Sequence, residues 1–268
     1  MASIRPFYLT KYLRVIASTF EMTFRQTVKD AFILFAVLFQ PLIIAMLALW
    51  MLKDKGGQYI IFVVIGSGMT GLWSSLLFIS GNGITVERWM GTLESLVAAP
   101  TPIQVVVIGK NLANVLQSLG SMVVSYILVS FIFGYPLSIA QPWLFLISLI
   151  ITVVSFVCFG IIIASLFILN PDVQRWQNGL EFPVYILCGF LFPIALLPGW
   201  TTPLSYLLTP YWAALALHAS AQGTGTIANI SFAWGVMLGY SILYLFLSKR
   251  LFRVILKKAR VDATLSMH

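Results

Sequence analysis

Charge is what this chain has least of. Asp, Glu, Lys and Arg make up 9% of its 268 residues, against about a quarter in an ordinary soluble domain. A water-facing surface cannot be built from so few charges, so a soluble globular protein is excluded. Cysteine is nearly absent too. Cys158 and Cys188 both lie in apolar stretches, which argues for small core residues and against a disulfide framework or thiolate metal site. The only histidines, His218 and His268, are far apart and lack a ligand set. No Gly-x-x-x-x-Gly-Lys-Ser/Thr phosphate loop occurs, since Gly109-Lys110-Asn111 has neither the hydroxyl nor the upstream glycine. The apolar centres hold no paired carboxylates, so proton-coupled transport and membrane-embedded acid/base catalysis lack their usual groups. The first thirty residues are too charged for a cleavable signal peptide.

What the chain does have is hydrophobicity: 60% apolar residues and a mean hydropathy of +0.96. Six apolar segments approach or exceed the ~20 residues that cross a bilayer: Ala31–Leu52, Tyr59–Ser80, Val105–Phe133, Trp143–Leu169, Phe182–Leu197 and Ile227–Leu247. The fifth is short, bounded by Pro183 and Pro198 with Pro193 inside, which predicts a broken or incomplete span. The expected fold class is therefore an all-α integral membrane protein with six transmembrane helices. It forms one domain: residues 1–30 as an amphipathic interfacial helix, 31–247 as the six-span core and 248–268 as a basic tail. If the spans alternate, fourteen of the sixteen Lys and Arg fall on one side, including Arg88, Lys110 and Arg175, and only Lys53 and Lys55 on the other. The positive-inside rule then places both termini in the cytoplasm of a multi-pass protein in the cell membrane, the bacterial inner membrane by expectation. Anionic membrane lipid and topology account for the +8 charge, and no nucleic-acid partner is needed.

Three local patterns stand out. Glu87-Arg88-Trp89-Met90-Gly91-Thr92-Leu93-Glu94 is a charged island between spans two and three. On one continuous helix, Glu87, Gly91 and Glu94 would share a face, with Trp89, Leu93 and Leu96 opposite. Pro100 should end that helix near Ala99. A solvated loop with an incidental charge cluster is the competing reading. In residues 1–30, Leu9, Leu13, Ile16, Phe20 and Phe24 form an apolar stripe opposite Lys11, Arg14, Glu21, Arg25 and Lys29, as in a helix lying at the inner interface. From Pro198 to Thr226 no residue is formally charged, yet Trp200, Tyr206, Tyr211 and Trp212 occur. Thr202–Leu208 and Tyr211–Ala219 read as re-entrant or interfacial helices interrupted at Pro210, either an outer gate or an ordinary aromatic belt.

With these elements on the page, the chain resembles the ABC-2 permease family of ABC exporters, drug-resistance type, over essentially its whole length. Glu87-Arg88-x-x-Gly91-Thr92-Leu93-Glu94-x-Leu96 followed by Pro100 is similar to that family's cytoplasmic coupling segment between spans two and three. Phe182-Pro183…Gly189-Phe190-Leu191-Phe192-Pro193…Leu197-Pro198-x-Trp200, with Thr209-Pro210 downstream, is similar to its fifth span and re-entrant outer hairpin between spans five and six. Cys188 departs from the small hydroxyl residue often found there.

The resemblance implies a transport subunit and no enzyme: a permease moving a hydrophobic or amphiphilic drug, antibiotic or lipid-like molecule outward, as in multidrug efflux. A separate ABC ATPase would bind ATP and Mg, with no cofactor on this chain, and a second permease copy or homologue would complete the exporter. It assigns ATPase coupling to Glu87, Arg88, Gly91, Thr92, Leu93, Glu94, Leu96 and Pro100, and an outer gate to Pro193, Pro198, Trp200, Pro210 and Tyr211. Trp73, Phe78, Tyr126 and Phe131 are candidates for the substrate pathway, or are packing and lipid-facing residues. The alternative within the fold is export of a lipid-linked polysaccharide. From other classes come an ATP-independent channel and a membrane enzyme.

Overall fold

The computed structural model describes residues 6–31, 35, 39–52, 57–80, 86–87, 90–133, 138–169, 177–190 and 192–262. Its described secondary structure is helical throughout: α1 (Pro6–Lys29), α2 (Gln40–Leu52), α3 (Gly57–Ser74), α4 (Leu93–Ala98), α5 (Ile103–Phe133), α6 (Pro142–Leu169), α7 (Gln177–Leu187), α8 (Thr202–Tyr206), α9 (Thr209–Gln222) and α10 (Ile227–Asp262). A π-helical turn, Ser75–Ser80, continues α3, and 3₁₀ turns at Ile194–Leu196 and Gly199–Thr201 precede α8. Among the described residues, three helices are long and apolar enough to cross a membrane, over Ile60–Phe78, Pro142–Phe167 and Ile227–Ile255.

The core forms where α3, α5, α6, α9 and α10 meet. Met69, Leu72, Leu76, Phe156, Leu217, Ile230 and Met237 are fully enclosed there. Helix α10 runs along α6, α3 packs on α5, and α9 inserts among α3, α6 and α10. At 36 residues, α10 is about 54 Å long at a rise of roughly 1.5 Å per residue. That exceeds a hydrocarbon core of about 30 Å, so the helix runs well beyond the expected Leu247 boundary and carries Lys249, Arg250 and Arg253 with it.

Two sequence expectations need correction. The fifth apolar segment begins earlier and stops sooner than Phe182–Leu197: α7 starts at Gln177 and contains Pro183 as an interior residue. The chain then turns at Gly189, whose φ of +66° favours glycine. At 11 residues, α7 spans only about 16 Å. The N-terminal helix also differs. Rather than presenting its whole apolar stripe to lipid, α1 packs along α5, with Thr23 and Thr27 buried and Leu13 exposed. Gly109 of α5 permits the crossing, because a Cβ there would lie 2.8 Å from the Ile16 carbonyl oxygen. In contrast, Gly235 and Gly239 have no such neighbour within 4 Å, so they mediate no close approach among the described residues. The parts of the first apolar segment at 32–34 and 36–38, and Arg5, Lys53, Lys55, Arg88, Trp89 and Arg175, lie outside the described residues.

Candidate functional site

Residues 86–100 do not form one helix. Val86 and Glu87 are helical, Met90 and Gly91 make a turn, and α4 begins only at Leu93. Gly91 has φ +70° and open space around its missing Cβ. It therefore serves backbone conformation, since an L side chain there is strained regardless of room. The break corrects the single-face arrangement of Glu87, Gly91 and Glu94. The turn is held from within: the Thr92 amide donates to the Glu87 carbonyl at 2.9 Å, and the Met90 amide to Val86 at 2.9 Å. The Thr92 hydroxyl bonds the Glu87 carbonyl at 3.1 Å and the Glu87 carboxylate as well. At the far end, Ala99 adopts ψ 145°, the extended conformation that a residue before proline favours, and Pro100 is exposed.

Lys110, which the sequence marks only as one of the basic residues on the cytoplasmic side, anchors this turn. Its Nζ lies 2.7 Å from Glu87 Oε1, with the two side chains 18% and 25% exposed. Partial burial pushes the Glu87 carboxyl up. The Lys110 hydrogen bond, the Thr92 hydrogen bond and the Lys110 charge outweigh it and leave the group below its ordinary value of 4.5. Leu96 packs on a second apolar cluster of Ile103 and Val107 from α5, Ile161 and Ala164 from α6, and Phe252 and Ile255 from α10. One short helix thus rests on the ends of three long ones. The backbone of Leu93 and Glu94 belongs to α4, whereas their side chains, like the whole of Arg88, lie outside what is described.

Three consecutive residues of α5 converge here. Gly109 receives α1, Lys110 holds the 86–92 turn, and Asn111 fits the notch at Gly160 of α6, where a Cβ would come 2.6 Å from its Nδ2. Asn111 Nδ2 also donates to the Val157 carbonyl at 3.4 Å. The 86–98 segment, α1 and α6 thus meet α5 at one short stretch. The sequence signal for this junction is the triplet Gly109-Lys110-Asn111 at the start of an apolar span.

At the opposite end of the bundle, Pro193 and Pro198 cap the two 3₁₀ turns, and Pro210 opens α9 at its first turn rather than interrupting it. Tyr211 and Trp212 cluster with Tyr206, with ring centroids 5.1–5.5 Å apart. Trp212 Nε1 donates to the Tyr206 carbonyl at 3.0 Å. Trp200 is 72% exposed. Helix α9 is enclosed through Ala213, Ala214, Ala216, Leu217 and Ala221, and His218 stacks on Phe62 of α3 with centroids 3.8 Å apart. The hairpin is thus a packed part of the core.

The four pathway candidates do not come together. Trp73 is buried and stacks on Phe159; Phe78 packs against the same core. Tyr126 lies against the separate α2–α3 cluster, and Phe131 is 87% exposed. Sequence reading also missed Glu181, which is 3% exposed on α7 and accepts hydrogen bonds from Ser74 and Tyr185.

Residues 15–221 match the family described as ABC-2 type transporter. That match runs from within α1 through nearly all of α9, including the 86–100 segment, and stops before α10. No curated protein matches the chain.

Proposed function

The chain belongs to the ABC-2 type transporter family, and from that premise we propose that it is the permease of an ATP-driven exporter which uses residues 86–100 as the handle for its ATPase. Membership makes it a multi-pass membrane transport subunit of the kind that works with an ABC ATPase, not an enzyme. Outward transport, a hydrophobic or amphiphilic cargo, a second permease copy, six spans and cytoplasmic termini complete our reading.

The observation that carries the coupling role is the double anchorage of one short segment. Its turn is pinned to α5 by Glu87–Lys110, and α4 is seated through Leu96 on the ends of α5, α6 and α10. The same segment presents Met90, which is 72% exposed, and the exposed Val86. An exposed apolar side chain on a braced polar turn suits a protein partner. Seen this way, Glu87 faces inward as a brace; contact with the ATPase falls to Met90 and the 88–94 stretch. When nucleotide-driven closure of the ATPase moves this segment, Lys110 and Leu96 pass the displacement to the spans, and Gly109 and Asn111 pass it to α1 and α6. At the other end, Thr209 and Tyr244 are hydrogen-bonded and the Tyr206–Tyr211–Trp212 cluster rests on α10. Motion of α10 would therefore shift the hairpin and open an outward path.

Replacing Glu87 and Glu94 together with Ala should leave an ATPase that co-purifies poorly or hydrolyses without transport. Unchanged binding and transport in that variant would remove the coupling role.

A further inference from the structure

Glu181 is a carboxyl group enclosed among helices, with no counter-ion among the described residues. Its Oε1 accepts from Ser74 Oγ at 2.7 Å and Tyr185 Oη at 2.6 Å, and the two hydroxyl oxygens also lie in contact with each other. The two ion pairs among those residues, Arg25–Glu21 and Lys110–Glu87, lie elsewhere. A carboxylate withdrawn from water costs several kcal/mol, on the order of what a paired cation returns. Ionisable groups at membrane depth are retained where they meet a mobile ion, a proton or a ligand.

The surrounding backbone is irregular. Ser74 is the last α-helical residue of α3, and the next six residues form the π-helical turn, a distortion that is frequent at functional sites. Gln177, one turn before Glu181, donates to the Leu77 carbonyl of that turn at 2.8 Å. Pro183 removes one backbone hydrogen bond from α7, which eases bending at this level. Leu180 and Phe182, on either side of Glu181, are both exposed. A rotation of α7 by about 100°, one residue's turn of the helix, would carry the carboxyl from the α3 interface to the outer surface of the helix, bordered by apolar side chains. Apolar surroundings with one acidic group fit a cargo having an apolar body and one cationic amine.

We propose that Glu181, held by Ser74 and Tyr185, is the recognition point for the ammonium group of an amine-bearing amphiphile. The inference rests on the exporter reading and sharpens its cargo to cationic amphiphiles.

The test uses the full chain in lipid nanodiscs and two fluorescent probes that differ at the amine, the cationic dansylcadaverine and its neutral N-acetylated form. Equilibrium binding needs no ATPase, so its outcome is separate from that of the coupling experiment. The expected result is a wild-type preference for the amine of about tenfold, the size of one charge-assisted hydrogen bond. Glu181→Gln should abolish that preference while leaving the affinity for the acetylated probe unchanged, and Glu181→Asp should restore part of it. Equal affinities in the wild type would overturn the proposal. So would a preference that survives Glu181→Gln, or an equal loss of both probes in Glu181→Gln and Glu181→Asp, the behaviour of a purely structural post.

Discussion

Breaking and rebuilding the Glu87–Lys110 pair separates a brace from a docking contact. The atoms are 2.7 Å apart and both side chains are largely covered, so the pair stands between an exposed ion pair, worth about 0–1 kcal/mol, and a charge-assisted hydrogen bond, worth about 1.5–3 kcal/mol. A coupling energy of about 1–2 kcal/mol follows, or roughly 5- to 30-fold in an equilibrium that depends on it. The perturbation is a double-mutant cycle of Glu87→Gln and Lys110→Met together with the exchanged pair Glu87→Lys/Lys110→Glu. The assay is transport per ATP hydrolysed in proteoliposomes containing the permease and its ATPase. Each single variant should lower that ratio by a similar factor, the double neutral variant should add little, and the exchanged pair should recover much of the loss. Strictly additive effects would refute the reasoning. So would a Glu87→Gln defect in ATPase affinity that Lys110→Met lacks, because Glu87 would then have its real partner on the other subunit.

Three further outcomes follow from the same geometry. Because the Glu87 carboxyl is held below 4.5, its stabilisation should be fully present above that pH and disappear as pH falls through the depressed value; the stability difference between wild type and Glu87→Gln, followed by thermal melting in nanodiscs, should be flat from pH 7 to 5 and shrink below. Gly91→Ala should cost about 1 kcal/mol or more of backbone strain, and Gly91→Asn less, since Asn tolerates left-handed backbone, so transport per ATP should fall in the order Gly, Asn, Ala; a milder effect from Ala would contradict the turn. Gly109→Val should force α1 from α5 at a cost of about 1–3 kcal/mol, seen as lost disulfide crosslinking between cysteines placed at Ile16 and Ile108; retained crosslinking would count against the crossing.

Long apolar runs were easy to read. α5 and α6 begin within two residues of their expected starts and end where expected, because runs of that length leave little choice of element. Since proline acts locally, the break before Pro100 and the presence of two separate helices after Thr202 were also legible, although the second starts at Thr209 and includes Pro210. Other features depended on packing. Glycine at 91 could equally serve a helix face or a left-handed turn, and only the Thr92–Glu87 hydrogen bonds select the turn. The stripe on α1 was correct as periodicity, but its partner, α5, is far away in sequence. Lys110 looked like one more basic residue, and its role appears only when the chain brings Glu87 back to it. Glu181 sits one residue before the predicted fifth span, outside the apolar centres where a buried carboxyl draws notice.

The central claim is that residues 86–100 meet an ATPase while the Trp200 end of the bundle does not. Met90 and Trp200 are equally exposed, at 72% each, so a photo-crosslinking residue placed at either has the same freedom to react. In native membranes the Met90 position should capture an ABC ATPase subunit and the Trp200 position should not. Capture of that ATPase from Trp200, or from neither position, would contradict the account.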